Sequence, residues 1–393
     1  MKTKRYILLL LAIIGFQFCI AQDTQTNLPK IENYTKGELE LKIESFGEEN
    51  PVKVGKIMAD GTIHFNWLEA DLSKVSEDNY MTKSIENFYG GKFCRNSGAV
   101  ISKGNATLVE TKLIYVFKYG KLVGCIVPST QKNHEYNKDQ LGSTIYWIYS
   151  NSDVSVKANC SEKIAWKDLY SFNQTIAYDI DFKKGFNIVS NTLEEVETWD
   201  NGEEKGSLPK TRIIKSVDQI PENIYWQLKY WANDELLEIE YQLLKKAPIT
   251  KTQYKNWAPK KLGKLKRTSY NIGKTLERIP TLNNIELHFE KGSKIATVTI
   301  VDCVKNKKAA SVYTLMLDMA SRDWKDKTKT GYSSASNIDG TRVMIGYNEI
   351  EAKTTLNYNA NGRFMVKAEA TNMNPESLWD YLKTLNLNLL KDK

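Results

Sequence analysis

Histidine is scarce in this chain, with only His64, His134 and His288. None has another His or a Cys at ligand spacing, so the sequence offers no zinc site of the usual types. A Ser-His-acid triad would have to recruit one of the three, yet no Gly-x-Ser-x-Gly elbow occurs. Glycine-rich phosphate loops of the Rossmann or Walker kind are missing, as is the calcium-loop pattern. No metal and no cofactor is therefore expected. Past the first 21 residues no apolar run is long enough to cross a bilayer. Gly and Pro are modest, at 22 and 9, while Tyr and Trp reach 21 and 9, so the chain can bury a substantial core rather than stay disordered. Without Lys2, Lys4 and Arg5 of the first 21 residues the net charge falls from +8 to +5, and a value this small implies no nucleic-acid partner by itself.

Cysteine is sparse too. Besides Cys19 there are Cys94, Cys125, Cys160 and Cys303, and four cysteines allow three pairings. Cys94 and Cys160 lie beside polar, turn-like sequence and form the preferred disulfide. Cys125 within Leu122–Val127 and Cys303 after Val298–Val301 sit in apolar, strand-like runs and read as small buried hydrophobes.

What is present begins with a leader. Lys2, Lys4 and Arg5 precede an apolar run from Ile7 to Phe18, then Cys19-Ile20-Ala21 stands before Gln22. This is the basic start, apolar centre and small-residue site of a secretory signal peptide over residues 1–21, with cleavage expected after Ala21. An anchor is the competing reading, but the run is shorter than the about 18 residues a span requires. Lipidation at Cys19 would follow residues smaller than Gln17 and Phe18. The leader, with its Phe, Gln and closing Ala-Gln, resembles those of Bacteroidetes-type bacteria, and the expected location is periplasmic or secreted.

Residues 22–208 read as strand after strand. Gly37–Ile43 and Thr62–Trp67 alternate polar and apolar residues, and Asp60-Gly61 is a hairpin signal. Further strands follow at short spacing up to Ser190, which favours an antiparallel β-sandwich. Ile224–Lys246 carries Trp226, Tyr230, Trp231, Leu236, Leu237, Ile239, Tyr241, Leu243 and Leu244 without Gly or Pro. Spacing of three and four predicts helices here, making residues 209–255 a helical connector. Lysines and one arginine then accumulate from Lys245 to Lys274, with no acid between Glu240 and Glu277.

Residues 256–393 have an α+β rhythm with an antiparallel sheet. Strands are expected at Ile285–Phe289 and Lys294–Asp302, then a helix over Lys307–Arg322 with Val312, Leu315, Met316, Met319 and Ala320 on one face. Three more strands turn at Asp339-Gly340 and Asn359–Gly362, and a closing helix starts with Asn374 as N-cap and Pro375 at its first position. Asn256–Pro259, Val298–Asp302, Thr330–Tyr332, Ile338–Gly340 and Asn361–Val366 stand in an order that resembles a bacterial family of uncharacterised exported α+β proteins. Element order is also similar to that of small periplasmic PsbP-like modules. Neither resemblance implies an activity.

Two carboxylate pairs could serve a glycosidase: Asp179 with Asp181, and Glu349 with Glu351, each two apart in a predicted strand and so on one face. Against this, such pairs commonly mark a solvated face. The basic segment implies a partner more directly. Lys260, Lys261, Lys264, Lys266 and Arg267 create a positive field suited to lipopolysaccharide, anionic lipid or acidic glycan, with Trp257 and Tyr254 able to add contacts. Arg363 is expected to hold the closing helix or an acid such as Asp302, and it is open whether these two line a cavity with Tyr332. The expectation is a non-catalytic envelope protein that binds or scaffolds. A secreted hydrolase using a carboxylate pair, or a structural component of an envelope complex held by another envelope protein, are the alternatives.

Overall fold

The computed structural model describes residues 28–43, 51–67, 70, 82–89, 99–102, 106–111, 113–135, 139–166, 170–200, 205–273 and 283–390. The leader, Cys94 and Lys274 lie outside the described residues. The protein is mostly β, and it divides into two units, Met1–Ala232 and Asn233–Lys393.

The first unit opens with β1 (Leu39–Ile43), β2 (Val52–Ile57), β3 (Ile63–Phe65), β4 (Thr82–Ser84) and the short helix α1 (Ile85–Tyr89). There follow β5 (Val100–Ile101), β6 (Thr107–Thr111), β7 (Ile114–Lys118), β8 (Lys121–Ser129) and β9 (Gly142–Ser150). Longer strands complete it: β10 (Val154–Trp166), β11 (Tyr170–Phe182), β12 (Gly185–Asp200), β13 (Lys205–Val217) and the shorter β14 (Tyr225–Tyr230). Alternation works as the sequence suggests. Leu39, Leu41 and Ile43 of β1 are buried, and the hairpin at Asp60-Gly61 closes because the Asp60 carboxylate accepts from the Thr62 amide at 3.0 Å while Gly61 takes φ +87°.

All 14 strands belong to one connected sheet. Between β8 and β9, however, only Ser129 and Thr144 pair, so the sheet forks there. One limb runs β3-β2-β1-β7-β8-β14, and the other runs β4-β6-β9-β12-β13-β11-β10-β5. Rings join the limbs. Trp147 of β9 lies 5.1 Å from Phe65, 5.2 Å from Trp67 and 6.2 Å from Trp226, and Trp67 lies 4.6 Å from Phe186. These rings bridge the limbs, while Leu108, Ile148, Val156, Ile180 and Phe182 form a buried core cluster on the second limb with Ile85 of α1. The ladders are antiparallel with one exception, since β11 and β13 pair in parallel from Thr175↔Thr211 to Asp179↔Lys215.

The helical connector expected at 209–255 is divided between the two units. Residues up to Val217 finish β13, and Tyr225–Tyr230 is a strand laid antiparallel on β8. Its aromatic composition suits a pleated surface, and pairing satisfies backbone groups along β8. Helix begins only where Asn233 can cap it, accepting from the amides of Glu235 and Leu236.

The second unit carries α2 (Asp234–Lys245), α3 (Lys251–Trp257), β15 (Lys261–Leu262), β16 (Leu265–Ile272), β17 (Asn283–Lys291), β18 (Lys294–Asp302) and α4 (Lys307–Met319). It ends with β19 (Trp324–Thr328), β20 (Gly331–Ile338), β21 (Thr341–Asn348), β22 (Lys353–Ala360), β23 (Phe364–Thr371) and α5 (Pro375–Leu382). The nine strands form an antiparallel sheet in the order β15-β16-β17-β18-β23-β22-β21-β20-β19. One face carries Leu287, Phe289, Val298, Ile300, Val366 and Leu356 against Tyr254 of α3 and Leu378, Trp379 and Leu382 of α5. Val301 and Met365 point the other way, towards Leu243 of α2 and Ala309, Ala310 and Tyr313 of α4.

Helix α4 keeps part of the expected face, since Ala320 is buried and Val312 and Met316 pack against the core, but its contact is centred elsewhere. Ala309, Ala310, Tyr313 and Thr314 are buried, whereas Leu315 and Met319 are more than half exposed, because small alanines allow the closest approach to the sheet. Asn374 does cap α5, its side chain accepting from the Ser377 amide, with Pro375 in the first turn. Asn374→Ala is expected to cost about 1 kcal/mol in equilibrium denaturation; an unchanged midpoint would show that the cap contributes nothing.

Candidate functional site

The lysine-rich segment is a hairpin. Leu262 and Leu265 pair across β15 and β16 and are fully buried, which anchors the ribbon in the core of the second unit. Gly263 takes φ +52° directly beneath the Tyr381 ring, where an added Cβ would come within 2.6 Å of the ring. The turn is thereby held, and Lys260, Lys261, Lys264 and Lys266 all stand exposed. Lys261 and Lys266 are directly opposite each other in the ladder, a like-charge pairing that works against the hairpin. Glu290 faces Lys266 from the other side, on β17, yet among the described residues none of these four lysines has a carboxylate within ion-pair distance. Lys251 and Lys255 of α3 are exposed as well.

Other residues of the basic segment are committed elsewhere. Arg267 donates to the carbonyls of Ala258 at 2.6 Å and Pro259 at 3.2 Å and lies 4.8 Å from the Tyr270 ring, so its guanidinium braces the chain instead of facing an anion. Tyr254 is fully buried, and burial drives its phenol pKa far up. Trp257 is half-buried and donates to the Asn386 carbonyl. Lys245 packs over the Tyr241 ring, and Lys246 reaches the Gly362 carbonyl.

Arg363 and Asp302 form a buried fork, with Nε to Oδ1 at 3.0 Å and Nη2 to Oδ2 at 2.8 Å. Arg363 also donates to the Ala247 carbonyl, and Asp302 accepts from the Ile249 amide at 2.7 Å. The pair ties the link between α2 and α3 to the ends of β18 and β23. Tyr332 sits on β20 beside Tyr347 and Lys325, whereas Arg363 and Asp302 are buried against each other.

The carboxylate pairs lie on the surface. Asp179 contacts Lys157, and Asp181 reaches Lys183 at 3.4 Å, all well exposed. Glu349 and Glu351 fall in the turn after β21 and not in a strand, and Glu351 pairs with Lys353. His288 makes the nearest approach to a catalytic relay: Nε2 lies 3.0 Å from Glu286 Oε1 and Nδ1 3.1 Å from Thr297 Oγ1. A carboxylate accepts, so Nε2 donates to Glu286, while the hydroxyl of Thr297 can serve Nδ1 as donor or acceptor. Thr297 sits in a strand paired on both sides, which consumes the backbone amides that an oxyanion would need. No group of three or more His, Cys, Asp or Glu side chains among the described residues is arranged to hold a metal.

Cys160 is in a disulfide, and Cys94, its expected partner, lies outside the described residues. Cys125 and Cys303 are free and buried, and burial pushes their thiols up to about 11 and about 12. Neither should react with an alkylating reagent in the folded protein at neutral pH; mass-spectrometric labelling before unfolding would contradict this.

A cavity of about 520 Å³ lies in the first unit at the fork between β8 and β9. Period-two alternation and register build its floor. Thr144, Asn191, Ile214 and Tyr178 form one rung across β9, β12, β13 and β11, and Gly142, Leu193 and Arg212 form the next. Gly142 leaves room for the segment above, since a Cβ there would meet Thr130 Oγ1 at 2.6 Å. That segment, between β8 and β9, brings His134, Asp139 and Gln140 to the cavity, and Asp139 reaches Arg212 at 3.3 Å. These residues are 78 apart from His134 to Arg212 in sequence and gather only through strand order, so no local motif signals them. Among the described residues no helix is long and apolar enough to cross a membrane. No family model, no curated protein and no solved structure matches this chain.

Proposed function

We propose that the chain is an exported, non-catalytic binding protein of the cell envelope that docks on an anionic surface through the hairpin carrying Lys260, Lys261, Lys264 and Lys266. The observation that carries this reading is the opposed Lys261–Lys266 pair on an anchored ribbon with no ion-pair partner among the described residues. Glu290 opposite Lys266 offsets the like-charge pairing only from one side, and the four exposed ammonium groups outnumber it, which suits a surface that meets an external counter-charge. The secretory leader and the resemblance of residues 256–393 to exported α+β proteins support the envelope as the setting, where phosphate-bearing lipids supply such charge. Co-sedimentation with vesicles containing phosphatidylglycerol, against pure phosphatidylcholine, tests it. Binding should need the anionic lipid, weaken with added salt, and vanish when the four lysines are reversed to glutamate. Equal binding to both vesicles, or by the reversed variant, would refute it.

A further inference from the structure

The forked-sheet cavity is separate from the lysine hairpin and lies wholly in the first unit. Its volume of about 520 Å³ falls within the roughly 300–1,000 Å³ of small-molecule pockets. His134 is the informative residue. It is 7 % exposed, lines the cavity, and makes no hydrogen bond among the described residues. Its ring nitrogens are not among the buried polar atoms left without a partner, so they open onto the cavity, where the polar groups of an occupant can take the place of water. Burial, helped by the charge of Lys229, lowers the imidazole pKa and so favours the neutral ring, in which one nitrogen donates and the other accepts.

Charge narrows the choice of occupant. Glu110 and Asp139 line the cavity with Arg212, two carboxylates to one guanidinium. Asp139 and Arg212 already pair with each other at 3.3 Å and Glu110 is engaged as well, so the lining leaves no bare charge for an ion of either sign. Asn191, Tyr146 and Tyr178 add groups that both donate and accept. An uncharged ligand rich in hydroxyls suits every one of these, because each hydroxyl donates to a carboxylate or accepts from a guanidinium. Ile126 and Leu193 offer apolar surface to the carbon faces of such a molecule.

We propose that this cavity is a carbohydrate site that takes a mono- or disaccharide, with His134, Arg212 and Asn191 holding its hydroxyls. The test is calorimetric titration of the mature chain with glucose, galactose, mannose, N-acetylglucosamine and cellobiose, with octanoate as an anionic amphipathic probe. At least one sugar should bind saturably, and His134→Phe and Arg212→Ala should each weaken it about tenfold or more. His134→Phe removes the ring nitrogens that face the cavity while keeping a ring of similar breadth, so it should melt close to the wild type while losing the sugar. Reversal of the four hairpin lysines should leave sugar binding intact, which separates this proposal from the docking surface. Failure of every sugar to bind, binding of octanoate in their place, unchanged affinity in either folded variant, or loss on lysine reversal would overturn it.

Discussion

Reversal of Lys260, Lys261, Lys264 and Lys266 to glutamate is expected to lower affinity for anionic vesicles by more than a thousandfold. Each lysine near such a surface contributes about 1 kcal/mol, so removing four attractions costs about 4 kcal/mol before any repulsion is counted. Screening acts on what remains, because exposed charges fade over a Debye length of about 8 Å at physiological ionic strength. The fold should survive, since the hairpin is anchored by Leu262, Leu265 and the Gly263–Tyr381 contact and not by its lysines. Lys261→Glu alone separates stability from docking more sharply. It turns the opposed like charges into an opposite pair, expected to add about 0.2–1 kcal/mol of stability while vesicle affinity falls. A single variant that loses both would show that the hairpin, not its charge, makes the contact.

How much of this was legible depends on the range of the interaction. Alternation revealed the half-buried strands, as in Leu39–Ile43, because one face meets core and the other water. Asn374-Pro375 announced the last helix, since capping is decided within a few residues. Tyr225–Tyr230 misled because aromatic spacing in so short a segment fits either a helix or an edge strand, and the deciding partner, β8, is about a hundred residues away. Leu315 and Met319 misled because an apolar stripe was weighed by size, whereas Ala309 and Ala310 set the contact face. The basic segment was legible as charge, but only the hairpin register separates the exposed lysines from Arg267, which is spent on two carbonyls. The cavity was invisible for the same reason. Its rungs combine β9, β12, β13 and the parallel neighbour β11, and nothing local in the sequence specifies that order.

Arg363→Ala is expected to destabilise the second unit by about 3–5 kcal/mol, because it strands the Asp302 carboxylate at zero exposure without its counter-charge. Arg363→Lys should recover part of the loss, as an ammonium keeps the charge but cannot span both carboxylate oxygens and the Ala247 carbonyl in one plane. Asp302→Asn should also be costly, for Asp302 accepts from the Ile249 and Val304 amides and from Asn283 as well as from the guanidinium. Apolar replacement of both partners, often harmless for a buried pair, would here leave those amides unpaired and should not restore stability. The double variant Arg363→Ala with Asp302→Asn should lose less than the sum of the singles, since each single breaks the same contact and leaves the other member unmet. Amide exchange measured over β17, β18 and β23 gives the local free energy directly. Additive losses, or protection in Arg363→Ala equal to that of the wild type, would mean that hydrophobic packing alone holds the α2–α3 link against the sheet.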